Sequence, residues 1–154
     1  MTAAITDMDA LFNSTMDSIE DLPPVGCPPT GCYNLLATAT REVSKESGNE
    51  YVRFQYEVTA INEVKNPEEE SQAAVGMKWS EIFSPFKKDG TANEWGQKFM
   101  KQAIQPFAAH FGSATFGEAI EAINKVEVMA TLVRTQDKKD AERFNARLSN
   151  VTVL

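Results

Sequence analysis

Side chains able to do acid–base or nucleophilic work are few in this chain. Its one histidine, His110, stands beside Phe111 near the end of an apolar-striped segment, where an imidazole ordinarily packs or caps a helix end. Cys27 and Cys32 lie in a Pro-rich stretch without the ligand spacing of a zinc site, and they read as reduced thiols rather than a disulfide framework. Glu68-Glu69-Glu70 is a charge run of the kind found on solvated loops. The sequence has no Gly-rich phosphate loop, no nucleophile elbow and no paired-aspartate motif with metal-ligand spacing. This pattern argues for a non-catalytic protein that needs no cofactor and no metal.

A second chemistry has more to work with: aromatic faces on which bases stack, beside cations that meet phosphates. Tyr51, Arg53 and Gln55 alternate along one run and Trp79 lies in another. Arg134, Lys138, Lys139, Arg143 and Arg147 cluster around a charged turn near the C-terminus. Each base stacked on an aromatic ring is worth ~1–3 kcal/mol, whatever the base. The bland readings stand beside these. Trp79 sits in an apolar run and fits a core plug as well as an exposed platform, and the basic cluster is interleaved with Asp137, Asp140 and Glu142, as on a merely solvated surface.

The elements that must position these residues follow from hydrophobic period. GCYNLLATATREV, residues 31–43, is rich in β-favouring residues and leads into the polar turn Lys45 to Asn49. Over 50–64 the return strand alternates: Val52, Phe54, Tyr56 and Val58 form a core face, and Tyr51, Arg53, Gln55 and Glu57 the opposite one. An acidic loop, 66–70, precedes a third strand over 73–83, with Gly76 marking a bulge or bend. The period then changes. Thr91 with Glu94 reads as a capping box opening a helix whose Trp95, Phe99, Ala103, Phe107 and Phe111 form one apolar stripe, kinked or divided at Pro106. Thr115 with Glu118 opens a shorter helix. Period two returns in a fourth strand carrying Val126, Val128, Ala130 and Leu132, and in a fifth with Phe144, Ala146 and Leu148 directed to the core.

The formal charge is −7, but its distribution is uneven. Residues 1–26 contain Asp7, Asp9, Asp17, Glu20 and Asp21 with no Lys or Arg, for a charge of −5, whereas residues 125–154 sum to +2. Leu11, Phe12, Met16 and Ile19 would share one side of a short helix before Pro23-Pro24. Residues 1–27 therefore read as an acidic arm with a Pro-rich lead-in, and 28–154 as the domain. The N-terminus lacks the basic residues of a signal peptide and no apolar run approaches ~18 residues, so a soluble cytoplasmic protein is expected.

Three strands, a helical insertion and two strands is the order of a five-stranded OB-fold barrel, mainly β with helices between strands 3 and 4. PPTGCYNLLATATREVSKESGNEYVRFQYEV resembles the opening of the bacteriophage-encoded OB-fold single-stranded DNA-binding proteins, with their Gly-Asn-x-Tyr turn. Gly76-Met77-Lys78-Trp79 followed by Phe83, and the closing VEVMATLVRTQDKKDAERFNARLSNV with its Phe144-Asn145 pair, are similar to the same family. The likeness spans residues 28–151. It implies sequence-tolerant coating of single-stranded DNA in phage replication or recombination, within the host cytoplasm, with Tyr51, Arg53, Lys139 and Arg143 facing the strand. Many single-strand binders end in an acidic tail. This chain ends in Val151-Thr152-Val153-Leu154, and its acidic segment lies at 1–22, where it would dock replication or recombination proteins. The apolar last strand suggests edge pairing in a homodimer. The competing expectation is an acidic protein-interaction module, structural or anti-host, on a β-barrel scaffold.

Overall fold

A computed structural model describes residues 6–18, 26–136 and 144–154. Strand β1 (Gly31–Val43) alternates buried and half-buried residues up to Thr40, and β2 (Glu50–Val64) buries Val52, Phe54, Tyr56 and Val58, the face expected from their spacing. The turn between them closes where Gly48 adopts a φ of 73°. β3 (Lys78–Phe83) is shorter than its apolar run suggests. Gly76, at φ 94°, bends the chain, and Val58 bonds Met77 and Gly76 through its N–H and carbonyl, so the strand starts only after this bend.

Helix α1 (Met8–Asn13) in the acidic arm buries none of its residues. By contrast Cys27, Pro28 and Pro29 are buried, and the Tyr33 hydroxyl donates to the Pro29 carbonyl at 2.5 Å. Helix α2 (Glu94–Phe111) runs unbroken through Pro106 and starts two residues later than a Thr91 cap would place it. Asn93 is its N-cap, accepting from the Gly96 N–H, while Thr91 bonds Asp89 instead. The capping box of α3 (Phe116–Ala122) forms as expected: Thr115 accepts from the Glu118 N–H, and Glu118 reaches back to the Ala114 N–H. β4 (Val126–Gln136) buries Val128, Ala130 and Leu132. β5 (Phe144–Val153) turns Ala146 and Leu148, then Val151 and Val153, onto the core. The change of parity falls at Asn150, φ 52°, opposite a register shift in β4.

The strands form one antiparallel sheet in the order β3-β2-β1-β4-β5. β1 pairs with β2 along its whole length and with β4 from Gly31 to Ala37. Beyond Ala37 the end of α3 takes β4's place, with the Ala39 N–H bonding the Ile123 carbonyl at 2.9 Å. Met100, Ile104 and Phe107 of α2 complete the core, where Phe54 contacts the rings of Tyr56, Phe83 and Phe107. Among the described residues no ladder joins β3 to β5, so the sheet is not closed into a barrel. Among those residues, too, no helix is long and apolar enough to cross a membrane.

Within the sheet the backbones approach closely at Gly31, where an added Cβ would lie 2.1 Å from the Glu63 carbonyl oxygen. Gly31→Ala must therefore push β1 away from β2 beside two register shifts. It is expected to lower stability by ~1–3 kcal/mol in urea denaturation, and parental stability would show that the two strands can separate there without loss.

Candidate nucleic-acid interface

The outward face of β2 brings three of the expected site residues together, and its electrostatics follow from the strand opposite. Arg53 donates through Nε to Glu42 Oε2 at 2.7 Å, and the Tyr51 hydroxyl donates to Glu42 Oε1 at 3.3 Å. The Arg53 guanidinium lies 5.8 Å from the Tyr51 ring centroid. Thr40 also donates to Glu42, and this bond, with the Arg53 bond adding to it, holds the Glu42 carboxyl below its ordinary range. Gln55 is exposed two residues on. Lys78 pairs with Glu57 on the same face, and Arg41 pairs with Glu50 on the opposite one, in register with buried Val52. Each of these three cations already has a carboxylate partner.

The remaining expected residues lie elsewhere. Trp79 is on the inward face of β3, 5.3 Å from Tyr56 between centroids, with its Nε1 enclosed and unpartnered. Arg134 has a side chain only 9% exposed and is held by Glu69 at 2.6 Å and Gln72 at 2.8 Å, so it ties the 3-10 turn Pro67–Gln72 to β4. Its guanidinium covers the ring of Phe144, which is 44% exposed rather than core. Glu69 is thus not one more solvated charge. Lys138, Lys139 and Arg143 lie outside the described residues. Arg147 stands apart from all of these, on β5.

Arg147 lines a cleft of 880 Å³ between the two sheet edges and α2, together with Glu81 and Ile82 of β3 and Trp95 and Phe99 of α2. Trp95 is 71% exposed and Phe99 38% exposed, with ring centroids 6.3 Å apart. Lys98 Nζ lies 5.1 Å from the Trp95 centroid, and the Arg147 guanidinium 5.1 Å from that of Phe99. Neither cation forms an ion pair among the described residues. Gly96 lets this turn of α2 reach the end of β3: a Cβ there would sit 2.1 Å from the Ser84 carbonyl oxygen.

Trp95 and Phe99 were legible only as part of a core stripe. At 3.6 residues per turn, each four-residue step overshoots a full turn by about 40°, so Trp95 and Phe107 differ by about 120°. The buried set Met100, Ile104 and Phe107 defines the true inner face. The usable signal was the i, i+4 aromatic pair with Lys98 between.

Burial pushes the Glu81 carboxyl up to about 7, against the opposing pull of Arg147. The fold thus favours neutral Glu81, a contribution complete below its ordinary value of 4.5 and lost as pH rises through about 7. Glu81→Gln is neutral throughout, and at about pH 8 it is expected to be more stable than the parent by ~1–3 kcal/mol. The gain should vanish near pH 4 in thermal melts, and an equal gain at both pH values would exclude this origin. Arg134→Met removes the tie to Glu69 and is expected to cost ~1–3 kcal/mol, read as an earlier urea midpoint. An unchanged midpoint would show that the tie adds nothing to the fold. Comparison with family models, curated proteins and solved structures finds no match for this chain.

Proposed function

We propose that the protein is a non-catalytic, sequence-tolerant single-stranded DNA-binding protein built on a partly open OB-type barrel and acting in phage replication or recombination. The observation that carries this reading is the strand order β3-β2-β1-β4-β5 with α2 and α3 between β3 and β4. In an OB barrel the first strand pairs with both the second and the fourth, and the third and fifth approach across a gap that is often only partly closed. Here Glu81 of β3 and Arg147 of β5 line one cleft across that gap. The sequence resemblance over residues 28–151 supports the same ligand, and the uneven charge leaves the body of the molecule less acidic than its total of −7 implies.

One observation favours a second reading, an acidic protein-interaction module. Arg53 and Lys78 on the outward sheet face are neutralised by Glu42 and Glu57, so neither offers an uncommitted charge along β2 and β3. An oligonucleotide titration separates the two. A dT oligomer of about 15 nucleotides is expected to bind and quench tryptophan emission, with affinity falling steeply between about 50 and 200 mM salt as phosphate contacts release counterions. No binding at low salt, or binding indifferent to salt, would overturn the single-strand reading in favour of the protein module.

A further inference from the structure

We infer that the cleft between the first turns of α2 and strand β5 is a base-stacking subsite for single-stranded DNA, with Trp95 and Phe99 as its platforms and Lys98 and Arg147 as its phosphate contacts. The inference rests on the single-strand reading and moves the main contact away from the outward face of β2. Three observations carry it.

The first is exposure. An indole 71% open to solvent on a helix whose neighbours Met100 and Ile104 are buried leaves a large apolar face uncovered, and a flat ring next to it at 6.3 Å extends that face into a step on which successive bases can lie. The second is charge. Arg41, Arg53, Lys78 and Arg134 are each paired with a carboxylate, whereas Lys98 and Arg147 have ring faces as their neighbours and no ion pair among the described residues. A phosphate approaching them breaks no ion pair among the described residues. Stacking surface plus uncommitted cations is the combination a phosphate-linked base needs, and an acidic peptide would use only half of it. The third is access, since the cleft opens between the two unjoined sheet edges.

Among the described residues Glu81 is the one carboxylate lining the cleft. Arg147 faces it from β5 and the Tyr56 hydroxyl from β2, while the titratable group that α2 brings near is Lys98, which lies over the Trp95 ring outside the lining itself. Protonation of Glu81 removes its repulsion of phosphate, so binding should tighten as pH falls from about 8 to about 6, and Glu81→Gln should abolish that dependence.

The experiment is fluorescence anisotropy of a labelled dT oligomer of about 15 nucleotides with the full chain at low salt. Trp95→Ala and Phe99→Ala are each expected to weaken binding about 5- to 100-fold, and Arg147→Gln to flatten the salt dependence. Circular dichroism melts check that each variant folds. Trp95→Phe keeps a ring and should retain more affinity than Trp95→Ala while losing the emission quench, because the other tryptophan, Trp79, faces inward. Parental affinity in the folded Trp95→Ala and Phe99→Ala variants, with loss in a Tyr51→Ala, Arg53→Ala double variant, would overturn the cleft and leave the single-strand reading standing. Failure of the parent itself to bind would remove both.

Discussion

The structure depends on the double pairing of β1. Its edges are both consumed, by β2 along thirteen partners and by β4 along seven, and its inward side chains Tyr33, Leu35 and Ala37 are fully buried. A strand bound on both edges and covered on one face has little freedom of register, because a slip of one residue would send Tyr33 and Leu35 to solvent. Everything else is located relative to it. β3 and β5 become the sheet's edges, α3 takes over where β4 stops, and α2 spans the core between the edges. The close approach at Gly31 and the hydroxyl of Tyr33 on Pro29 fasten the start of this strand to its surroundings.

From that arrangement comes a division of electrostatic labour. On the outward face, strands lying side by side in register bring Glu42 against Arg53 and Glu57 against Lys78, and short-range pairing leaves the face close to neutral. At the edges Arg147 forms no ion pair among the described residues, Glu81 of β3 acting on it only across the cleft, and α2 presents the ring of Phe99 to it. A cation over a ring keeps most of its charge available to an incoming anion, whereas a cation in an ion pair must first give up its partner. The contrast between Arg53 and Arg147 is therefore one of context, not of residue type.

The bounds of β1 and β2 and the core face of β2 were legible because period-two alternation is set by the backbone itself and persists over many residues. The capping box at Thr115 was legible for a similar reason, as both of its bonds are local. The Thr91 signal had the same form and failed: Asp89 took the Thr91 hydroxyl and Asn93 took the cap. β3 was read too long because apolar residues at 73–77 serve the core from a bend at Gly76, which composition does not distinguish from a strand. Along α2, regular four-residue spacing passed for a stripe although it winds slowly around the helix.

The sequence by itself determined the number and order of the strands, their inward faces and the place of the helical insertion, since these rest on local periodicity and turn chemistry. Only the tertiary structure decided which cations are committed and which aromatics are exposed. Arg134 finds Glu69 across 65 residues of chain, and Arg147 meets Phe99 from a strand and a helix far apart in sequence. Such partners are chosen by how the sheet curls and where α2 lies on it, and burial of Met100, Ile104 and Phe107 fixes the helix rotation that turns Trp95 outward.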